Sequence, residues 1–313
     1  MEVFGQEEPL PGRRPDGVKG RKVPMLVDNK EVVVSGRFPR TARLRAEYFE
    51  CIDNPGGFVA KARAAGLRAD IFTFLPALAD RNPRHDLHFE QESISVLPIT
   101  TYENWWNRQI NGKTRNMIRK AQKSGVEVRV VEFTDEFVNG IVAIYNELPL
   151  RQGKPFKHYG KNFETLKQAH ITFLERSEFI GAFYGNELIG FVKLVHDKGI
   201  SSMMQIISKI AHRDKSPTNA LIAKAVEICA GRKIPCLHYG VWSRRTLGEF
   251  KRHHAFEEFK VPRYFVPLNA RGKLFLALGM HRKFSEYLPV RWQDFLANFR
   301  AKWVSFKYRA STT

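Results

Sequence analysis

The sequence predicts an α/β protein built on a mixed, mostly antiparallel central sheet flanked by helices. Three observations predict it. Residues 200–242 read as strand, basic loop, helix, strand. Ile200 to Ser208 is apolar and rich in β-branched residues, His212 to Ser216 is too polar for a core, and Leu221, Ile222, Ala225, Val226 and Cys229 recur at helical spacing. Gly185-Asn186 separates the apolar runs Phe179 to Tyr184 and Leu188 to His196, as a hairpin turn does. From residue 126 onward strand and helix patterns alternate regularly, whereas before it the elements are short.

Taken in order, residues 1–20 hold proline, glycine and charge without periodicity, and the expectation there is disorder. Val23 to Ser35 predicts two short strands turning near Asp28-Asn29, and Arg43 to Cys51 a third. Pro55-Gly56-Gly57 breaks that strand, Phe58 to Ala65 reads as a helix ending at Gly66, and Ala69 to Leu75 and Ser93 to Ile99 are strand-like. Residues 103–125 carry six basic residues and one acid, with Ile110, Met117, Ile118 and Ala121 as one buried stripe. Such a run is either a solvated basic face or the wall of a phosphate groove. Trp105 and Trp106 fit a core or domain interface better than a stacking platform.

Val126 to Phe133 predicts a strand, and Thr134 caps a helix that buries Phe137, Ile141, Ile144, Tyr145 and Leu148 before Pro149. A polar, aromatic loop follows, then a helix from Phe163 to Arg176. Ser216-Pro217 supplies an N-cap hydroxyl and a proline at the first helical position, where its missing N–H costs nothing. Gly231 closes that helix, Ile234 to Trp242 is the next strand, Thr246 to His253 a helix, and Val261 to Leu268 the last strand.

A chain of 313 residues is long enough for two modest domains. Its net charge of +19 implies acidic partners: nucleic acid, an anionic membrane, or phosphorylated ligands. Cys51, Cys229 and Cys236 are odd in number and lie in apolar runs, which predicts reduced core thiols of a cytoplasmic protein. The opening MEVFGQEEPL is no signal peptide, and no run approaches the roughly 20 apolar residues of a membrane span.

Four stretches narrow the class. They are Lys113-Thr114-Arg115 through Ile118-Arg119-Lys120-Ala121 to Lys123-Ser124-Gly125-Val126, Ile189-Gly190-Phe191, Ser216 to Ile222, and Phe250-Lys251 followed by Phe256. In this order, among these strands and helices, they resemble the GNAT acyltransferase superfamily and its bacterial FemAB-like branch, whose members often pair two such domains with the first degenerate. The likeness covers residues 90–268 well and 20–90 by general order. It implies a degenerate or partial GNAT-like domain over 21–110, a GNAT-like acyltransferase domain over 111–268, and a basic helical tail over 269–313. One departure bears on the donor. Ala211 to Ser216 contains no glycine, where GNAT proteins commonly cradle the pyrophosphate of coenzyme A. The FemAB-like branch often lacks those glycines too, and some members take an aminoacyl group from tRNA.

The resemblance implies direct acyl transfer to an amine, from an acyl-CoA such as acetyl-CoA or from an aminoacyl-tRNA. A third reading is a non-catalytic nucleic-acid or envelope-binding protein on the same fold. Catalysis would fall to Lys251, stabilising the carbonyl oxygen as it gains charge, and to Tyr239 and Glu147, handling protons. His238 competes with Tyr239, but neighbours on a strand face opposite sides, so only one can meet the donor. The donor would sit on a helix N-terminus with Arg213, Lys215, Ser216, Thr218 and Asn219, where unpaired N–H groups attract anions. Arg151, Gln152, His158 and Tyr159 lie where GNAT proteins bind the acceptor.

No C-x-x-C pair, H-E-x-x-H or acid cluster appears, so the sequence predicts no metal site, and there is no G-x-S-x-G elbow. Leu288, Trp292, Phe295, Phe299 and Trp303 give the tail an amphipathic stripe, suited to the body of the protein, a second subunit in a homodimer, or an anionic membrane.

Overall fold

The computed structural model describes residues 25–80, 82–151, 154–243 and 246–282. The tail stripe from Leu288 to Trp303, the segment 1–20 and Gln152 lie outside the described residues. The chain opens with β1 (Met25–Val27), β2 (Lys30–Ser35), β3 (Thr41–Leu44), α1 (Pro55–Ala64), β4 (Ile71–Phe74) and β5 (Phe89–Pro98). It continues with α2 (Tyr102–Asn104), one π turn at Trp105–Gln109, α3 (Gly112–Lys123), β6 (Val126–Val131) and α4 (Asp135–Tyr145). Next come β7 (Leu150–Arg151), β8 (Lys154–Pro155), α5 (Phe163–His170), β9 (Ser177–Tyr184), β10 (Glu187–Asp197) and β11 (Ile200–Ser208). The last are α6 (Pro217–Gly231), β12 (Cys236–Val241), α7 (Thr246–His253), β13 (Glu257–Pro267) and α8 (Ala270–Ala277).

Local chemistry sets most of these limits. Asn54, Asn111, Thr134, Asn162 and Asn269 each accept a backbone N–H three residues on, capping α1, α3, α4, α5 and α8. Asp28 and Asn29 both take left-handed backbone, the geometry that turns β1 tightly into β2. Where expectation and structure differ, a local competitor is visible. The strand expected over Arg43 to Cys51 stops at Leu44, because Phe49 and Glu50 N–H groups turn back to the Ala46 carbonyl. The basic segment 103–125 is not one helix: Ile110 is extended and Asn111 caps a fresh start.

An 11-stranded sheet runs β1-β2-β3-β4-β13-β5-β12-β11-β10-β9-β6. β1 to β4 and α1 bury one core around Leu44, Phe58, Phe72 and Phe74. The later strands are covered on both faces. Ile180, Ala182, Ile189 and Val192 pack with residues of α3 and α6, whereas Phe179, Leu188 and Phe191 pack with α4 and α5. That explains why all nine residues of β11 are buried, the polar Ser201, Ser202, Gln205 and Ser208 among them. β13 returns to lie between β4 and β5, so the two units share one sheet. Among the described residues no helix is long and apolar enough to cross a membrane.

Gly248 shows how tightly α7 is seated. A Cβ there would lie 1.6 Å from the Ser243 carbonyl oxygen, so Gly248→Ala forces α7 outward. We expect it to cost ~1–3 kcal/mol in urea denaturation and to displace the lysine three residues on. A neutral result would mean that α7 shifts freely.

Candidate functional site

β11 and β12 run parallel, joined by α6, and they pair at only Ser201↔Leu237 and Ser202↔His238. Beyond those pairs their ladder stops. A register shift at Lys193/Leu194 disturbs the β10–β11 ladder opposite Met204, and another falls between His238 and Val241 where β12 meets β5. Bulges bend the strand that carries them, so the two strands part toward their C-terminal ends as a wedge. Beside that end of β11, at the start of α6, is a cleft of about 260 Å³.

Lys113, Lys209, Arg213, Ser216 and Thr218 line this cleft, with His254 at its back. Thr218 Oγ1 is 2.7 Å from Ser208 Oγ, which ties α6 to the end of β11. Ser216 departs from its expected role. Its backbone is left-handed (φ 58°, ψ 39°) after a tight turn at Arg213–Lys215, so its hydroxyl does not cap α6. That hydroxyl is instead buried at the cleft without a partner among the described residues. His254 Nδ1 lies 2.9 Å from the Phe250 carbonyl and donates to it. Burial pushes the imidazole down to about 4, so it is neutral and Nε2 remains an acceptor with no partner among the described residues. The cleft thus offers the Lys113 and Arg213 cations, Lys209 in an ion pair with Glu187, a hydroxyl and one imidazole acceptor.

Of the residues expected to hold the donor, Arg213, Ser216, Thr218 and Asn219 line this cleft together. Lys215 points elsewhere, with Nζ 4.8 Å from the Tyr184 ring centroid and 3.4 Å from Asp214. Lys209 and His254 were missed by sequence reasoning. Lys209 follows an apolar strand and His254 follows α7, and nothing in their spacing links them to residue 216.

Glu147 sits under the loop after β11. Its carboxylate accepts the Ile210 and Ala211 N–H groups at 2.7 and 2.8 Å and an Arg151 N–H at 3.1 Å. Two amides of this loop, those of Ile210 and Ala211, therefore already hold an internal carboxylate. Arg151 is 2% exposed and donates also to the Ser208 and Ile144 carbonyls while its guanidinium lies over Phe156. His158 packs 4.8 Å from Tyr145, and Lys161 Nζ stands 2.9 Å from its Nδ1. Burial, aided by Lys161, pushes His158 down to about 3, so it is neutral. Of the described residues expected at the acceptor side, Tyr159 is the exposed one.

Lys251 and Tyr239 come together on the other arm of the wedge. Lys251 Nζ lies 4.7 Å from the Tyr239 ring centroid and donates to the Tyr239 carbonyl (2.5 Å), the Val241 carbonyl (2.8 Å) and Ser95 Oγ (3.1 Å). Burial lowers this ammonium to about 7. The Tyr239 hydroxyl is buried, has no partner among the described residues and is raised well above its usual pKa by desolvation, so it carries its proton. His238 faces away, 3.1 Å from Ser202 Oγ and stacked on Tyr48. Strand alternation thus keeps the imidazole and the phenol on opposite sides.

This architecture defines a class. The C-terminal domain of a putative lysylphosphatidylglycerol synthetase from Agrobacterium fabrum matches with a TM-score of 0.53 at 13% identity, covering 81% of this chain and 86% of that one. L-PGS from Bacillus licheniformis also matches at 0.53 and 13% identity, covering 82% and 88%. FemX matches more weakly, with a TM-score of 0.48 and 10% identity over 74% and 72%. The fold is the GNAT fold in a two-unit arrangement, as the sequence resemblance implies. No protein-family model and no curated protein matches the sequence.

Proposed function

We propose that the chain is an acyltransferase that carries an acyl group from a phosphate-bearing donor to an amine. One observation supports this above the others: the β11–β12 ladder ends after two pairs and the strands part beside a cationic cleft at the start of α6. An extended donor arm can lie in the wedge with its phosphates on Lys113, Lys209, Arg213, Ser216 and Thr218. The amine nitrogen attacks the carbonyl carbon, and the electron pair moves to oxygen. The Lys251 ammonium offsets that charge through space, because its three N–H groups are held by Ser95, Tyr239 and Val241. Return of the pair breaks the bond to the leaving group. Tyr239, still protonated, then supplies the leaving group's proton, and its phenolate regains one from the nitrogen that attacked, so the protons balance. Glu147 and Arg151 hold the loop after β11 in this scheme, and Tyr159 and His158 flank the acceptor.

The simplest donor is acetyl-CoA or another acyl-CoA. A second donor, an aminoacyl-tRNA, is favoured by one specific observation: the Ile210 and Ala211 amides are occupied by Glu147, which shifts phosphate binding toward side-chain cations. Arg119, Lys120 and Lys123 also stand exposed on α3 beyond Lys113, a track suited to a nucleic-acid backbone.

Thermal-shift titration with acetyl-CoA, free coenzyme A and bulk tRNA, each at low and raised salt, separates the two. A ligand that binds only the folded state raises the melting temperature in proportion to RT ln(1 + [L]/Kd). A shift with acetyl-CoA that survives salt and is lost in Lys209→Glu/Arg213→Glu assigns the thioester. A salt-sensitive shift with tRNA and none with coenzyme A overturns that donor in favour of aminoacyl-tRNA. No shift with any of them overturns both.

A further inference from the structure

His88 and Glu90 stand two residues apart where β5 begins, so their side chains leave the same face of the strand. His281, 191 residues after Glu90, arrives against them just beyond α8. Its Nε2 lies 2.8 Å from Glu90 Oε1, and His88 Nε2 lies 4.0 Å from the same oxygen. One donor atom from each of the three residues falls within 4.8 Å of the others. The two imidazoles meet edge to face, 5.6 Å apart and 88° between planes. Phe265 backs both, with ring centroids 4.7 Å from His281 and 6.0 Å from His88, and its N–H fixes the His88 carbonyl at 2.9 Å. Arg282 Nε also donates to Glu90 Oε1, at 2.7 Å.

We propose that His88, Glu90 and His281 form a binding site for a zinc-class divalent ion. Two imidazoles and one carboxylate are a donor set suited to zinc, with a fourth position open to water. Ligand bonds of ~2.0–2.2 Å in a tetrahedron set donor atoms roughly 3.3–3.5 Å apart. His281 and Glu90 therefore part by about half an ångström, and His88 closes in. The structure permits that movement, because the His88 side chain is 48% exposed and turns on one free edge, whereas His281 is held at 2%. Arg282, 46% exposed, swings outward as the ion neutralises the carboxylate it now meets. The His281 Nδ1 atom is buried without a partner among the described residues. A ligand imidazole whose second nitrogen is unsupported binds roughly 10–100-fold more weakly than a supported one, so this site is reversible and chelator-sensitive. The bound ion clamps β5 to the chain leaving α8. This site does not depend on the acyl-transfer reading.

The test uses the full chain, stripped with chelator and titrated calorimetrically with ZnCl2, then with CoCl2 followed by visible absorption. The expected result is one ion per chain, a Co2+ spectrum of a four- or five-coordinate nitrogen and oxygen site, and a zinc-dependent rise in melting temperature. Glu90→Gln and His281→Ala should each weaken binding more than about tenfold with the far-UV spectrum unchanged. His88→Ala carries the test if His281→Ala fails to fold, because its ring is half exposed. Absence of zinc and cobalt binding in the wild type overturns the proposal. So does equal binding in His88→Ala/His281→Ala, or an intense thiolate band, which assigns the ion to the free cysteines.

Discussion

Replacing Arg151 by methionine should destabilise the protein by ~3–5 kcal/mol, read as a lower urea midpoint at unchanged slope. The guanidinium is buried, and it answers the Glu147 carboxylate and the Ser208 and Ile144 carbonyls together. Its loss leaves a carboxylate at 13% side-chain exposure facing two backbone N–H groups and no cation. The loss should also reach the donor cleft, because Ser208 ends β11 and Glu147 pins the loop that follows. Donor binding in the thermal-shift experiment should therefore fall along with stability. Glu147→Gln/Arg151→Met, which removes both charges, should lose less than Arg151→Met alone. If the single variant stays within ~1 kcal/mol of wild type, the pair behaves as an exposed one and the anchoring role is wrong.

Lys251→Met should reduce transferase activity by ~10²–10³-fold while leaving a folded protein. Its effect on stability depends on pH, and the sign follows from the buried ammonium. Folded Lys251 titrates near 7, whereas an unfolded lysine titrates near 10.5. Between those values the unfolded chain binds more protons, so wild-type stability rises with pH across roughly 7 to 10.5. Below 7 the full cost of burying the charge is present. Lys251→Met removes that slope, and so its deficit relative to wild type should be small at pH 6 and larger at pH 9. Because the ammonium is the form beside the developing oxyanion, activity should fall as pH rises through about 7, a titration that the variant lacks. Parallel stability curves for the two proteins over this range would show that Lys251 keeps an ordinary pKa.

Much of this could be read in the chain. Hairpin chemistry at Gly185-Asn186, the Thr134 cap and the helical spacing from Leu221 to Cys229 are local signals, and the structure carries each of them as an element. The grouping of Arg213, Ser216, Thr218 and Asn219 is local too, because one turn and the first turn of α6 hold all four. Where Ser216 departs, the cause is also short-range: a left-handed backbone outweighs the usual capping preference of serine before proline. The family resemblance singles out Lys251 and Tyr239 separately, and their contact, across twelve residues and a turn, is visible only in the structure.

By itself, then, the sequence determined the fold class, the order of elements around α6 and a strongly basic surface, all of which follow from periodicity, turn residues and charge that neighbours in the chain express. Only the tertiary structure decided which groups answer one another. Pairing of β11 with β12 for just two residues, the seating of Glu147 on amides more than sixty residues away, and the meeting of His88 and Glu90 with His281 all depend on long-range register. A sheet register is set by turns, bulges and burial summed over many strands, and no window of the sequence contains that sum.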